Sequence, residues 1–272
     1  MIILRHLRKI VSLYLVGYEI VHIRSEKGPL NPIHTEVVKN TVQKAFLGAE
    51  VISESEEEIT FQTFLDLSCF AVELALRRIS ALTSSMGEDL ILALINRDEE
   101  KVSTIIDSDR EVNRFNFYII RQLKVSIHDD RLINRIGLRK QKECLGYRIE
   151  TKNVEKIADS IVSIAEKLLN LRGLTINSQI LLKISGSIST LINLLNKVMD
   201  AHFRREYILA DKVVSKVFEA KINFDRLLYL ILDSISDPRV QFELVGMVTS
   251  LEKIANYCGE IAEVILNRTI ED

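Results

Sequence analysis

The segment that decides the fold is residues 155–170, EKIADSIVSIAEKLLN, because much of it recurs at residues 252–267 as EKIANYCGEIAEVILN. The two segments share nine identical residues within sixteen positions, all at one offset of 97 residues and without a gap. Shared helix composition alone does not produce so many identities in a single register. An offset of this size is typical of a small domain, so the sequence predicts a duplicated structural unit.

Apolar residues at three- and four-residue spacing surround both segments and predict six long helices. The predicted helices cover approximately residues 68–94, 98–128, 154–171, 180–195, 210–231 and 237–265. The chain has only ten glycines and three prolines, which favours long helices over many short strands. The predicted fold class is therefore mainly α, with two tandem three-helix bundles.

The N-terminal part has a different pattern and is predicted to form a small β-α-β-β segment. A strand at 18–24 precedes a helix that Asn31 caps, with Pro32 in its first position. Segments 49–54 and 59–65 are predicted to form a hairpin. Their single helix on three strands offers too little apolar area for independent folding.

Residues 10–16 form an apolar run behind Arg5, Arg8 and Lys9. The run is too short to span a bilayer, and no small-residue cleavage site follows it. We interpret it as a strand or short helix packed on the domain; a trimmed targeting segment is the alternative interpretation. The predicted domains are then residues 1–66, a first bundle at 67–172 and a second bundle at 173–272.

Composition excludes several classes of protein. With 47% hydrophobic and 27% charged residues, the chain is neither disordered nor a membrane protein. The net charge of −2 gives no bulk electrostatic reason for binding nucleic acid or an anionic membrane. Cys69, Cys144 and Cys258 show no paired spacing and are predicted to be buried, reduced thiols, which indicates a cytoplasmic protein.

Motifs of catalysis are missing from the sequence. It has no phosphate-binding P-loop, dinucleotide-binding glycine fingerprint or nucleophile elbow. The five histidines are scattered, and Glu19 with His22 forms a lone Glu-x-x-His, where a di-metal bundle needs two. The sequence therefore predicts a protein that is not an enzyme.

Paired carboxylates are the remaining chemical feature. Glu155 and Asp159 lie four residues apart and share a predicted helix face with Arg148 and Lys152. Such a pair suits a hard cation or a basic partner. A solvated polar face has the same spacing and is the simpler interpretation of the spacing alone.

Several segments together resemble the PhoU family of phosphate-uptake regulators. The similar segments are Arg148 with 155–159 and 164–166, then 109–115 (where the family usually has Asp at the position of Asn113), 219–223 and 252–256. The resemblance extends from about residue 68 to the C-terminus. It implies two tandem three-helix bundles whose helices present acidic motifs.

The resemblance also implies a function. PhoU proteins regulate phosphate uptake and phosphate homeostasis through contacts with phosphate transporters and their signalling partners, and they bind metal clusters through the acidic motifs. The expected protein is thus a cytoplasmic, non-enzymatic adaptor, a homodimer that does not insert into the membrane, and its partner is a transporter component or a sensor protein.

The metal ligands implied by the resemblance differ between the bundles. The first bundle offers Asp109, Asn113, Glu155 and Asp159, and the second offers Glu219, Asn223, Glu252 and Asn256. Affinity for a hard cation follows the number of negative ligands. The first bundle is therefore expected to hold at most one divalent or ferric ion (iron, zinc or manganese), and the second is expected to be empty.

DNA binding is the alternative function. Segment 18–65 resembles the linker of family members that have an N-terminal AbrB-like DNA-binding domain, but residues 1–17 are too short to form that domain. In this alternative the N-terminal segment binds DNA, in one form as a swapped dimer, and the bundles act as a sensor and dimerisation module. A basic patch that includes Arg5, Arg8, Lys9 and Arg24 would favour it.

Overall fold

The computed structural model describes residues 2–26 and 28–271, which form nine helices and three strands. The elements in chain order are α1 Ile2–Val16, β1 Ile20–Arg24, α2 Pro32–Ala45, β2 Ala49–Glu54, β3 Glu58–Thr63, α3 Val72–Asn96, α4 Glu99–Ser126, α5 Asp130–Arg135, α6 Glu143–Asn170, α7 Ser178–Arg204, α8 Tyr207–Ser234 and α9 Pro238–Glu271. The six predicted long helices are α3, α4, α6, α7, α8 and α9. The mainly α fold with a small N-terminal sheet is confirmed.

The chain divides into two compact units. One comprises residues 1–76 and 113–148, and the other comprises residues 77–112 and 149–272. The division falls within α3, α4 and α6. The boundaries predicted after residues 66 and 172 therefore stay predictions about which segments fold independently.

The N-terminal sheet has three antiparallel strands in the order β1-β3-β2. The predicted hairpin is confirmed as β2 and β3, with an irregularity in the register between Val51 and Ser53. The predicted start of α2 is also confirmed. Asn31 Oδ1 accepts a hydrogen bond of 2.9 Å from the backbone of Ile33, and Pro32 occupies the first turn.

The predicted β-α-β-β segment is present as β1, α2, β2 and β3, and the run that was interpreted as a strand or short helix is a helix that precedes it. The run at 10–16 belongs to α1, which precedes β1. Ile10 and Tyr14, one turn apart, are buried, whereas Arg8 and Lys9 are exposed. The Tyr14 ring stacks on Phe46 with centroids 4.3 Å apart. Ile10 and Tyr14, four positions apart, thus give α1 a buried face. The apolar run at 10–16 did not by itself distinguish this helix from a strand.

Two further details differ from the prediction. The connection at 129–137 contains the short helix α5, whose first turn Asp129 caps by accepting from the backbone of Arg131 and Leu132. Cys69 is exposed, whereas Cys144 and Cys258 are buried as predicted, and all three are free thiols. Cys69 lies before α3 begins, so it is outside the apolar helical face that was assumed to bury it.

The second half of the chain is a three-helix bundle, as predicted, and its described residues contain no strand. Helices α7, α8 and α9 pack against one another in all three pairs. The predicted core residues of α9 are buried, from Leu244 to Ile265 at three- and four-residue spacing. The detailed superposition of the two bundles stays a prediction.

Equivalent helices of the two halves lie side by side and antiparallel. Along α6 and α9 the contacting pairs are Lys156–Tyr257, Ser163–Ser250, Lys167–Gly246 and Asn170–Glu243. This register places Ala158 opposite its repeat equivalent, Ala255, and both are fully buried. Helices α3 and α7 are antiparallel too, since their pairs are Arg77–Phe203, Ser84–Asn196 and Gly87–Ile192. Within the unit of residues 77–112 and 149–272, α6 and α3 therefore each pack antiparallel to their repeat equivalents, α9 and α7.

Helix α7 is long and apolar enough to cross a membrane by length and composition. Half of its apolar window is nevertheless buried within the protein. Its buried residues follow a core pattern that includes Ile184, Leu191 and Val198. The core helix of a bundle meets the same criterion as a membrane span, and α7 packs here as a core helix.

Candidate functional site

The acidic motif of the first half lies on α6. Glu155 is buried and Asp159, one turn later, is exposed, while Ile157 and Ala158 between them fill the core. Lys152 Nζ donates to the Glu155 carboxylate across one turn. Since a buried carboxylate needs a compensating partner, Lys152 is the residue that makes this burial tolerable.

The charge of Glu155 also acts on Asp159. Although the Asp159 side chain is exposed, neighbouring protein atoms partly desolvate it, and this desolvation raises the pKa of the carboxyl above its usual range. The Glu155 carboxylate raises that pKa further, whereas Lys152 lowers it. A cation bound at this turn would relieve the repulsion between the two carboxylates, and so would a basic side chain from a partner.

The other residues of the predicted first site lie on α4. Asp109 and Asn113 are half-buried, one turn apart. Asn113 belongs to the compact unit of residues 1–76 and 113–148, whereas Asp109, Glu155 and Asp159 belong to the unit of residues 77–112 and 149–272. The four predicted ligands are therefore divided between the two units.

The second-half motifs are more exposed. Glu219 on α8 is exposed and its Oε2 lies 2.6 Å from Lys216 Nζ, and Asn223 is exposed one turn later. On α9, Glu252 is half-buried and Asn256 is exposed.

A ligand set for a metal ion is not assembled in this arrangement. Within residues 2–26 and 28–271, no three His, Cys, Asp or Glu side chains form a group that could hold an ion. Lysines contact two of the predicted carboxylates, Glu155 and Glu219. An ion at the α6 motif would have to displace Lys152 from Glu155. Metal binding therefore stays a prediction.

A buried pair that the sequence analysis missed joins α6 to α7. His202 Nδ1 lies 2.8 Å from Oε1 of Glu150, and both side chains are fully buried. The two residues are 52 positions apart, so no local spacing reveals them. A weaker signal is present in the sequence, because His202 follows Leu195 and Val198 at the spacing of the buried positions of α7, a pattern that favours burial in the bundle.

The N-terminal basic residues do not all lie on one free surface. Arg24 and His22 on β1 both contact the Glu58 carboxylate on β3, and Thr60 donates to it at 3.0 Å. Arg24 first, then His22 and Thr60, hold the pKa of Glu58 at about 2. Arg24 is thus paired with an acidic strand, which weakens it as a phosphate contact. The Arg5 side chain lies outside the described part of the structure.

The chain is similar to a known protein family in sequence and to solved proteins in structure. Residues 76–168 match the family model of the PhoU domain. The crystal structure of PhoU from Pseudomonas aeruginosa superposes with a TM-score of 0.62 at 19% identity, and the match covers 74% of this chain and 96% of that chain. The phosphate transport system regulatory protein PhoU from Streptococcus pneumoniae superposes with a TM-score of 0.64 at 16% identity, covering 74% and 94%.

At such low identities the structural likeness shows the fold alone. No curated protein matches the chain significantly in sequence. The matched domain contains the acidic motifs of α4 and α6, whereas the similar motifs at 219–223 and 252–256 lie outside it. Residues 76–168 are thus similar to the PhoU domain, and the chain shares its fold with two PhoU crystal structures.

Proposed function

We propose that this protein is a non-enzymatic adaptor that regulates phosphate uptake through contacts with a phosphate transporter component or a sensor protein. The observation that supports this most directly is the PhoU domain, since PhoU proteins are regulators of phosphate uptake. The Streptococcus pneumoniae protein with the same fold is described as a phosphate transport system regulatory protein.

An outward-facing apolar stripe on α8 supports action through protein contacts. One face of α8 enters the bundle core with residues such as Val217, Phe224 and Ile231. The opposite face exposes Phe218 (68%) and Tyr229 (67%). Because these two residues are eleven positions apart, or about three helical turns, they lie on one side of the helix.

Two more apolar residues extend this surface. Ile222 and Leu232 lie close to the same side of α8 and are 42% and 46% exposed. We call Phe218, Ile222, Tyr229 and Leu232 the α8 stripe. Grouped exposed apolar residues, aromatic ones above all, mark protein interaction sites. The α8 stripe is therefore the surface we assign to the transporter component or sensor.

The proposal also covers the oligomeric state and the cellular location of the protein. We expect a cytoplasmic homodimer that does not insert into the membrane, with α7 kept in its bundle. Light scattering after size exclusion measures the dimer, and fractionation of cells measures the location. A monomer at micromolar concentration, or recovery only in the membrane fraction after a carbonate wash, would contradict this part.

The decisive experiment is a cross-linked affinity capture of the tagged full-length chain from phosphate-replete and phosphate-starved cells. We expect a phosphate transporter component or a sensor of the phosphate response, identified by mass spectrometry, in amounts that differ between the two conditions. Phosphate uptake in cells that lack the protein should no longer fall when phosphate is plentiful. Uptake and capture that are both independent of phosphate would overturn the proposal.

Matched variants localise the contact. Phe218→Asp with Tyr229→Asp should abolish capture while leaving the helical content unchanged, because both side chains are exposed. Phe64→Asp is the control, since Phe64 is equally exposed (62%) but belongs to the N-terminal unit. Loss of capture in the control alone would place the contact elsewhere.

A further inference from the structure

A cavity of about 520 Å³ lies between α1, α2 and the end of β1 in the N-terminal unit. The two helices meet closely where Tyr14 stacks on Phe46. Towards their other ends, Leu7 and Ile10 of α1 face the cavity together with Val38 of α2, and none of the side chains that the structure describes fills the space. The volume is in the range of sites that bury a small organic molecule.

The floor of this cavity is apolar and buried. Ile10, Val38 and Ile59 line it and are at most 7% exposed, and Ile59 comes from the central strand β3. Since these residues belong to the hydrophobic core of the unit, a ligand here would be in contact with the core itself. Such a floor selects the apolar body of a ligand.

The mouth of the cavity is polar and consists mainly of hydrogen-bond donors. His6 on α1 and His34 on α2 stand on the two helices that form its walls, and Arg24 stands at the end of β1. Arg24 has five N–H donors, and its contact with Glu58 uses the one on Nε. Asn31 also lines the mouth, and its side-chain oxygen already accepts from Ile33, which leaves the amide to donate.

The loop at the mouth is held in place by backbone hydrogen bonds. The Ser25 amide donates to the Glu57 carbonyl at 3.0 Å, and the Leu30 amide donates to the Glu56 carbonyl at 2.6 Å. Both acceptors lie in the turn between β2 and β3. These hydrogen bonds restrain the shape of the mouth, and a restrained site lowers the entropic cost of binding.

We propose that this cavity binds a small apolar carboxylic acid, with its chain on Ile10, Val38 and Ile59 and its carboxylate at the mouth. Imidazole and amide donors suit a carboxylate, and the terminal nitrogens of Arg24 can add charge-assisted hydrogen bonds, although the contact of its Nε with Glu58 reduces the strength of that contribution. Among the described residues of the lining, Glu26 alone carries a carboxylate, and it is exposed and can turn to solvent. The inference concerns a different surface from the proposed partner contact, so either can fail without the other.

The test uses the full-length chain and decanoate, with decanol as a neutral control of equal length, in calorimetric titrations below the micelle concentration. We expect one decanoate per chain and at least tenfold weaker binding of decanol. Val38→Phe fills the cavity and should reduce decanoate affinity more than tenfold. Ile52→Phe introduces the same side chain at an exposed position outside the cavity and should leave affinity unchanged.

A second variant keeps the test valid if Val38→Phe does not fold. His34→Leu keeps an apolar wall but removes a donor, so the preference for decanoate over decanol should fall at least threefold. Circular dichroism of each variant verifies its fold. No saturable decanoate binding by the wild-type chain, equal binding by folded Val38→Phe, or an unchanged preference in His34→Leu would each overturn the inference.

Discussion

The imidazole Nδ1 of His202 lies 2.8 Å from Oε1 of Glu150, and neither side chain reaches solvent. The second carboxylate oxygen, Oε2, is buried with no hydrogen-bond partner among the described residues. Glu150 therefore depends on His202 for its compensation inside the protein. The pair joins α6 and α7, which come from different halves of the duplication.

Replacing one member of this pair should lower the free energy of unfolding far more than replacing both. His202→Ala leaves the Glu150 carboxylate buried without its partner and should lower the free energy of unfolding by about 3–5 kcal/mol. Glu150→Leu with His202→Leu removes both polar groups and should cost much less. Chemical denaturation measures all three proteins. Equal losses in the single and double variants would contradict a mutual dependence.

Gly87 permits the close approach of α3 to α7. A Cβ atom at residue 87 would lie 2.3 Å from Cδ1 of Ile192, so Gly87→Ala should destabilise the protein by about 1–3 kcal/mol. Gly186→Ala is the control, because nothing lies within 4 Å of its added methyl, and it should stabilise α7 by about 0.5–1 kcal/mol. Adding Ile192→Ala should make Gly87→Ala less costly than it is alone. If the losses in free energy of unfolding of Gly87→Ala and Ile192→Ala were strictly additive in the double variant, the added methyl group would not clash with the Ile192 side chain.

Acid should weaken the N-terminal sheet through Glu58. Its pKa is about 2 in the folded protein, against an ordinary value of 4.5, because Arg24, His22 and Thr60 contact the ionised form. A lowered pKa stabilises the fold above pH 4.5, and this contribution is lost as the pH falls from 4.5 to 2. Hydrogen exchange of the β1 and β3 amides should show that loss. Glu58→Gln should abolish the dependence, whereas Glu57→Gln should retain it.

The first 66 residues should not fold as an isolated fragment. Arg121 on α4 donates to the carbonyls of Tyr14, Gly17 and Tyr18 at the end of α1, and the fragment lacks this residue. In the full-length chain, Arg121→Met should lower the free energy of unfolding by about 1–3 kcal/mol, since it leaves buried acceptors unpaired. Lys124→Met, an exposed change on the same helix, should have little effect. A cooperative unfolding transition of the fragment would refute the prediction.

Metal binding should follow the number of carboxylates. After incubation with iron, manganese or zinc, elemental analysis should find at most one ion per chain, and Glu155→Gln with Asp159→Asn should remove it. Asn223→Asp with Asn256→Asp restores two charges in the second half and should raise the metal content. If the first pair of changes leaves bound metal in place, the charge-counting argument is wrong.

Local sequence patterns were sufficient to predict much of the fold of this protein. The repeat at 155–170 and 252–267 predicted the duplication, and apolar spacing predicted the six long helices with their buried faces. Turn and cap residues such as Asn31 predicted the start of α2. These features could be predicted because each depends on residues within a few helical turns of one another, where backbone geometry determines which side chains share a face.

The sequence by itself thus determined the helical class, the internal repeat, and the acidic motifs that resemble those of PhoU proteins. Only the tertiary structure decided which helices of the two halves lie together, that Glu150 meets His202, and that α1 and α2 leave a cavity above Ile59. These are contacts between residues far apart in the chain, and they depend on how whole helices pack. Side-chain volumes at single points, such as Gly87 and Ala158, allow that packing, and no periodicity along one segment can reveal which distant surface a small residue will meet.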